Sequence, residues 1–166
     1  RMDIGADGMK TGFTDASGYA IVGSVEQNGR RLFAALSGMS SEGERAEEAR
    51  KMLDWGMRAF AKSQLFADGE TVAQASVFGG ARSSVGLKAK GPVSIFVPLT
   101  NRDQLKARVV YAGPLVAPVE EGAPVGRLKV WIGDTLSQET PLYTTESVGK
   151  GTIYQRAASA IEELAI

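Results

Sequence analysis

The sequence predicts an α+β chain in which a few strands and one long helix precede a small all-β sandwich. Two apolar runs of strand-like composition flank an Asn-Gly pair, and a helical apolar stripe follows them. Short runs rich in Val, Ile, Phe and Thr then fill residues 70–146. The composition changes near residues 66–69, so the predicted parts are residues 1–66, 67–150 and a tail over 151–166.

The composition excludes several kinds of chemistry. The 166 residues include 19 basic and 19 acidic side chains, no histidine and no cysteine. Ser-His-Asp and Cys-His catalysis, a thiolate nucleophile, disulfides and an ordinary zinc site are therefore excluded. The balanced charge argues against nucleic-acid binding, which needs a basic surplus. No apolar run approaches the roughly 20 residues that span a bilayer, and we expect no signal peptide, no metal and no cofactor.

The first part should contain a β-hairpin. Runs over residues 19–25 and 31–37 flank Gln27-Asn28-Gly29-Arg30, and Asn-Gly favours a two-residue turn because both positions tolerate a positive φ. Both runs are apolar on both faces, which is typical of strands inside a covered sheet.

A helix is predicted from Ser41 to about Lys62, with Ser41 and Glu44 at capping-box spacing. Residues three and four apart form its apolar stripe, which consists of Ala46, Ala49, Leu53, Met57 and Phe60. Ion pairs one helical turn apart are expected for Glu47 with Lys51 and for Asp54 with Arg58.

The second part reads as short strands without a helical stripe. They are predicted over residues 71–78, 83–88, 93–97, 106–111, 125–132 and 141–145, with Gly133-Asp134 in a hairpin position. The tail, residues 152–166, predicts a helix with Ile153, Ala157, Ile161 and Leu164 on one face. Because roughly 15 residues are marginal for an isolated helix, the body of the protein, a partner or a membrane surface should cover that face.

The tripeptide Lys10-Thr11-Gly12 carries the most specific chemical information. Lys-Thr-Gly on a strand is the third signature of penicillin-binding proteins and class A β-lactamases. The lysine supplies a point charge, the threonine hydroxyl can bind a carboxylate, and the glycine lets a substrate lie against the strand as an added strand. A Walker A loop is excluded because Met9 and Ile4 stand where it requires glycine, and an exposed strand-turn is the alternative without function.

The surrounding residues resemble serine D-alanyl-D-alanine carboxypeptidases, the low-molecular-mass penicillin-binding proteins. Residues 7–19, DGMKTGFTDASGY, are similar to the family segment D-G-x-K-T-G-x-T-x-x-A/S-G-Y. The resemblance continues through Gly43-Glu44-Arg45 and residues 53–57, LDWGM, and weakly through residues 117–128. It implies an α+β fragment: the closing strands and last helix of a penicillin-binding/β-lactamase-like transpeptidase domain, followed by a small all-β sandwich domain and the start of a C-terminal amphipathic helix.

The resemblance also implies roles. Lys10, Thr11 and Gly12 would form the active-site strand, and the backbone N–H of Phe13 would be one of two oxyanion-hole donors. Arg45 would help to recognise the terminal carboxylate of the peptide; the alternative is a solvated side chain, although the first turn of a helix disfavours a cation. The family often has histidine where this chain has Phe13, so the role expected at that position is one of the backbone.

The family nucleophile is expected to be absent. It lies in an S-x-x-K motif followed by S-x-N, and only nine residues precede Lys10. Neither Ser37 nor the segment 83–88 supplies the S-x-x-K spacing. We therefore expect a C-terminal portion that lacks the nucleophile and is inactive alone, with the missing N-terminal part of the catalytic domain as a partner.

The expected full-length enzyme removes the terminal D-alanine from peptidoglycan pentapeptide stems, with β-lactams as substrate mimics, in the periplasm at the inner-membrane face. Membrane contact would come only through the C-terminal helix, and unpaired strand edges favour a homo-oligomer. The alternative is a non-catalytic β-sandwich module for interaction or positioning. A β-lactamase is the third possibility, although those enzymes lack an appended β-domain.

Overall fold

A computed structural model of the chain describes residues 5–100 and 102–157. The chain divides into two compact units, Arg1–Ala61 and Lys62–Ile166, and each is described by itself. This division falls five residues before the composition change near residues 66–69, since the strand that contains Phe66 begins at Phe60.

The first unit is a three-stranded antiparallel sheet followed by a helix. Its elements are β1 (Ala6–Thr14), β2 (Gly18–Gln27), β3 (Arg30–Met39) and α1 (Glu42–Ala59), and the strand order is β1-β2-β3. Asn28 and Gly29 have φ values of 53° and 70°, which is the positive-φ turn predicted for this hairpin. β1 is consequently an edge strand, paired with β2 on one side only within this sheet.

Helix α1 covers one face of this sheet. Ile21, Val25, Ala49 and Leu53 are all at most 3% exposed, and Leu53 lies beside Gly23 on the central strand. On the opposite face Val22 is 52% exposed and Phe33 67% exposed. The prediction of a sheet covered on both faces is therefore wrong for the described residues, where only the helix side is covered.

The start of α1 agrees with the predicted cap and its end does not agree with the predicted boundary. The Ser41 hydroxyl accepts from the Glu44 N–H at 3.2 Å, which confirms the N-cap. The helix ends at Ala59 rather than near Lys62, because the guanidinium of Arg30 donates to the carbonyls of Gly56 and Phe60 and the chain leaves as a strand.

Two further expectations for α1 have mixed outcomes. The ion pairs Glu47–Lys51 and Asp54–Arg58 are both present. Ala46 is exposed rather than buried, and Gly56 is buried in the stripe instead. A Cβ at Gly56 would lie 2.5 Å from a methyl group of Leu32, so a larger residue there would require the Leu32 side chain to shift.

The second unit is built from strands. They are β4 (Phe60–Phe66), β5 (Thr71–Phe78), β6 (Ser84–Lys88), β7 (Val93–Pro98), β8 (Leu105–Tyr111), β9 (Leu115–Val116), β10 (Pro124–Ile132) and β11 (Thr135–Thr144). A single 3-10 turn, Arg102–Gln104, precedes β8. Six strands form a sheet in the order β8-β10-β11-β6-β5-β9, and β4 pairs with β7.

The two sheets of this unit share one core. Leu87, Leu128 and Leu142 from the larger sheet and Val93 and Ile95 from β7 belong to a single buried cluster. This is the two-layered β domain predicted from the short apolar runs. The Gly133-Asp134 hairpin is present between β10 and β11, and Gly133 has a φ of 61°.

Parts of the second unit were not predicted. The predicted helix overlaps only residues 60–62 of β4, the rest of β4 and all of β9 have no predicted counterpart, and β11 begins at Thr135 rather than near Pro141. Residues 153–157 are helical as predicted, but Ile153 is 81% exposed, so the body of the protein does not cover it. Ile161 and Leu164 lie outside the described residues, and no helix within the described part is long and apolar enough to cross a membrane.

Candidate functional site

The four residues of the predicted active-site strand lie consecutively on the edge strand β1. Lys10, Thr11, Gly12 and Phe13 are all exposed, and they face Val22, Ile21, Ala20 and Tyr19 of β2 in register. Because β2 occupies only one side of β1, the backbone groups along the outer edge have no strand partner in this sheet. Such an edge can accept an extended peptide as an additional strand.

Side chains along β1 alternate between the two faces of the sheet. Thr11 is opposite Ile21, which is buried against α1, so Thr11 and Phe13 share the helix side. Lys10 is opposite Val22 and projects on the uncovered side, where its ammonium donates to the Thr11 carbonyl at 3.1 Å. A hydroxyl group on the helix side and an ammonium group on the uncovered side are therefore both available beside one strand edge.

A shallow groove of about 450 Å³ runs over this part of the sheet. Residues of all three strands line it, namely Lys10, Thr11, Gly12, Ala20, Ile21, Val22, Ala35, Leu36 and Ser37. A Cβ built at Gly12 would meet no atom of the chain within 4 Å. The glycine is therefore not required by packing within this unit, and the space above it is free for a ligand.

Arg45 lies on the helix side, close to Phe13. Its side chain is 15% exposed, and its guanidinium carbon lies 5.6 Å from the ring centroid of Tyr19. The Tyr19 ring is in turn 4.5 Å from that of Phe13. The structure thus places Arg45 against an aromatic ring rather than in open solvent, and it connects Arg45 to the predicted active-site strand through Tyr19.

Sequence reasoning missed Tyr19 in this role. Tyr19 was noted only as the end of the motif and the start of a strand. The missing signal was the hairpin register, which sets Tyr19 opposite Phe13. Arg45 is within reach because α1 begins shortly after β3 and runs alongside β2, with Arg45 beside Tyr19 and Leu53 beside Gly23.

A polar cluster fixes the start of β1. Ser24 donates to Asp7 at 2.6 Å, and Arg31 lies 2.7 Å from the other carboxylate oxygen of Asp7 while also pairing with Glu26. The hydrogen bond from Arg31, followed by the one from Ser24, holds the pKa of Asp7 below its ordinary value. This cluster ties β1, β2 and β3 together next to Lys10, and the sequence pattern did not identify it.

The chain contains one S-x-x-K spacing that sequence reasoning overlooked, Ser147-Val148-Gly149-Lys150. It lies in extended backbone, where Val148 is buried and pairs with Val119, so Ser147 and Lys150 project to opposite sides. The Ser147 hydroxyl accepts from the Glu121 N–H at 2.9 Å. Nothing in this geometry lets Lys150 activate Ser147, and the spacing does not supply a nucleophile.

The described residues contain no group of three acidic side chains that could hold a metal ion. Buried side-chain polar atoms in the described part all have hydrogen-bond partners. Apart from the paired Asp7 and Arg31, the chemistry that the described residues offer beside β1 consists of the Lys10 ammonium group, the Arg45 guanidinium group, hydroxyls and backbone donors.

Comparisons with known proteins agree on one group. The family model described as "Penicillin-binding protein 5, C-terminal domain" matches residues 60–150. D-alanyl-D-alanine carboxypeptidase DacD of Salmonella typhimurium is 32% identical over 160 residues, which are 96% of this chain and 41% of that protein. DacC of Escherichia coli is 31% identical, over 93% of this chain and 39% of that protein.

Solved structures show the same relationship. Penicillin-binding protein 5 from Haemophilus influenzae aligns with a TM-score of 0.70 at 28% identity, covering 89% of this chain and 43% of that one. The chain spans about two fifths of the length of the curated relatives it matches.

Proposed function

The chain belongs to the low-molecular-mass penicillin-binding proteins, whose C-terminal domain it carries, and we propose that it serves a D-alanyl-D-alanine carboxypeptidase of peptidoglycan maturation. The observation that carries this proposal is the exposed Lys10-Thr11-Gly12 sequence on the open edge of β1, beside a groove of about 450 Å³. The reaction would take place in the periplasm, on the terminal D-alanine of a peptidoglycan pentapeptide, and β-lactams would mimic that peptide.

The peptide would lie along β1 as an additional strand. Gly12 leaves room for the backbone of the peptide. A side chain at this position would project into the open space where the peptide would lie. Thr11 and Arg45 share the helix side, so the threonine hydroxyl and the guanidinium would together bind the terminal carboxylate. Tyr19 would position Arg45 through the contact of its ring with the guanidinium.

Lys10 and Phe13 would act on the reacting carbonyl group. A serine outside these 166 residues would attack the carbonyl carbon between the two D-alanines, release D-alanine and leave an acyl-serine that water hydrolyses. The backbone N–H of Phe13 would donate to the oxyanion, and the charge of Lys10 would stabilise the negative charge that develops nearby. The chain by itself would not acylate.

A fluorescent penicillin tests the proposal in two forms of the protein. The 166-residue chain should give no covalent band, and a stoichiometric band would refute the assignment of the nucleophile to other residues. A longer product of the same gene, containing S-x-x-K and then S-x-N ahead of Lys10, should give a band.

In that longer protein Thr11→Val and Arg45→Gln should each slow acylation by about tenfold or more, since each removes one polar contact to a carboxylate. Thr14→Val is a matched control, because the Thr14 hydroxyl contacts only its own turn, at Ser17. Acylation of Thr11→Val at the rate of the unmodified protein would contradict the role given to the strand.

A non-catalytic module for interaction or positioning is the second candidate. It is favoured by the match of the family model to residues 60–150, a segment that contains none of the residues placed beside β1. An upstream gene sequence without S-x-x-K, together with no penicillin band in the longer product, would establish this candidate instead.

A further inference from the structure

The outer face of the six-stranded sheet carries an unusual concentration of positive charge. Residues 62–166 contain 11 basic and 10 acidic side chains, so the unit as a whole is close to neutral. Six of the basic residues lie on or beside this one face, which we term the basic face: Lys88, Lys90, Lys106, Arg108, Arg127 and Lys129.

The strand register places these residues together. Leu128 and Val130 of β10 are buried in the core, so Arg127, Lys129 and Trp131 project outward by alternation. Arg108 is directly opposite Lys129, and Lys106 is directly opposite Trp131. Arg108 and Lys129 are therefore two cations on neighbouring strands about 5 Å apart, and the next cation along each strand, Lys106 or Arg127, lies about 7 Å away.

The basic face extends across β11 to β6. Leu142 is buried, so its neighbour Tyr143 projects outward, and Lys88 is opposite Tyr143 in the ladder. The ammonium group of Lys90 lies 4.4 Å from the centroid of the Tyr143 ring. The cations therefore lie on β8 and β10 and at the end of β6, and β11, which carries Tyr143 and no cation, lies between β10 and β6.

Little negative charge balances this surface. Glu139 is the one acidic residue within the strands of this sheet, and it pairs with Arg127 at 3.1 Å and Lys129 at 3.0 Å. The remaining acidic residues in the described part of the unit lie in turns, loops or the 3-10 turn. No ion pair within the described part of the chain includes Lys88, Lys90, Lys106 or Arg108.

Lys129 opposite Arg108 is a pair of like charges at directly facing positions, which destabilises a sheet. An anion bound across β8 and β10 would remove this repulsion. Trp131 and Tyr143 are half-buried between the cations. Two apolar side chains on this face are more exposed, Val110 at 49% and Leu136 at 44%. They lie at separate places, opposite Arg127 and Trp131 of β10, and form no continuous apolar patch of the kind that enters a bilayer. A flat charged sheet with rings set between the cations is suited to an extended anionic polymer lying along it.

We propose that the basic face binds peptidoglycan through the free carboxylates of its peptide stems. This inference rests on the proposed function for the identity of the polymer, and it assigns to the second unit a task that the β1 edge does not perform. A second attachment to the same insoluble polymer would raise the local concentration of stems around β1.

Sedimentation with purified peptidoglycan sacculi at low salt tests the proposal. The 166-residue chain should sediment with sacculi and should be released as salt is raised, because the contacts are ionic. Lys106→Glu combined with Arg108→Glu should lower the bound fraction by about tenfold or more, since the change reverses two neighbouring charges on the basic face. Both side chains are exposed on the edge strand β8, so the fold is retained.

Two controls make the test specific. Lys62→Glu combined with Lys150→Glu changes the net charge equally at two exposed positions away from the basic face and should leave binding unchanged. Sacculi whose carboxyl groups have been converted to neutral amides should bind neither the chain nor the variants. Equal binding of the Lys106/Arg108 variant and the unmodified chain, or equal binding to amidated sacculi, would overturn the proposal.

The remaining outcomes separate this proposal from the others. Preferential binding to vesicles of anionic over neutral phospholipid, lost in the Lys106/Arg108 variant, would overturn it in favour of a membrane surface. Lys10→Ala should leave sedimentation unchanged. If Lys10→Ala abolishes sedimentation instead, binding occurs at the β1 edge, which overturns the proposal for the basic face and leaves the proposed function standing. Carboxylate-dependent sedimentation of the chain, together with a longer gene product that penicillin does not acylate, would retain the basic face and refute the proposed function.

Discussion

Arg30 should determine where α1 ends and how firmly it is held against the sheet. Its guanidinium donates to the carbonyls of Gly56 at 2.5 Å, Phe60 at 2.9 Å and Met57 at 3.2 Å. These are carbonyl groups at the helix C-terminus, which lack partners within the helix and carry the negative end of its dipole. No glycine C-cap is present to satisfy them, since the cap residue Phe60 is extended.

We expect Arg30→Ala to lower the free energy of unfolding of the first unit by about 2–3 kcal/mol. A hydrogen bond to a charged group contributes about 1.5–3 kcal/mol. Because this site is only partly buried, we take roughly 1 kcal/mol for each of the two shorter bonds, which gives the lower limit of about 2 kcal/mol. The favourable charge at the helix end adds up to about 1 kcal/mol. Arg30→Lys keeps the charge without the planar fork and should lose about half as much.

Urea unfolding measures this effect when Trp55 alone reports on the first unit. Trp131→Phe removes the other tryptophan, which lies in the second unit. Arg50→Ala is the matched control, because Arg50 is exposed on the same helix and such a change typically costs less than about 0.5 kcal/mol. If Arg30→Ala lowers the free energy of unfolding no more than Arg50→Ala does, the capping argument is refuted. If Arg30→Lys is as destabilising as Arg30→Ala, the charge alone contributes nothing, and the expected partial retention by lysine is refuted.

Three further predictions concern the core, the polar cluster and the oxyanion donor. Thr144→Val should destabilise the second unit by about 2–4 kcal/mol in urea unfolding. The fully buried hydroxyl donates to the Glu120 carbonyl and accepts from the Ala123 N–H, and valine can do neither. Thr144→Ser keeps the hydroxyl and should destabilise the unit less; a serine variant less stable than the valine variant would contradict this reasoning. Arg31 and Ser24 lower the pKa of Asp7, so their stabilisation is present above its ordinary pKa of about 4 and is lost as pH falls through the lowered value. Asp7→Asn should therefore unfold more easily than the unmodified chain at pH 7 and to the same degree near pH 2; a difference that does not change with pH would exclude the charge as its cause. In the longer protein, Phe13→Pro removes the backbone N–H and should slow penicillin acylation by about 100-fold or more, whereas Phe13→Ala should change it far less; comparable rates in the two variants would remove the backbone N–H from the mechanism.

Local chemistry made much of the fold predictable from the sequence. Asn28-Gly29 and Gly133-Asp134 specify two hairpins because their residues tolerate positive φ, and Ser41 with Glu44 specifies the start of α1. These signals depend on neighbours within four residues. The end of α1 could not be predicted in this way, because the group that satisfies its carbonyls, Arg30, lies 26 residues before Gly56.

The candidate site shows the same division between local and distant causes. The identity of Lys10-Thr11-Gly12 and the family resemblance around it were visible in the sequence. The packing of Arg45 on Tyr19 depends on the packing of α1 alongside β2, and the Asp7–Ser24–Arg31 cluster depends on three strands meeting. Conversely, the S-x-x-K spacing at Ser147 matches the family motif in letters, and only its extended backbone shows that it cannot act as one.

The sequence by itself determined the balance of charge, the absence of histidine and cysteine, the motif on β1 and the family to which the chain belongs. It could not show that a near-neutral β domain separates its charges, because Lys88, Lys106, Arg108 and Lys129 are up to 41 residues apart along the chain. The strand order β8-β10-β11-β6 and its register bring them onto one face. Composition sums charges over the chain, whereas the field that a ligand meets depends on where the pairing of strands places each of them.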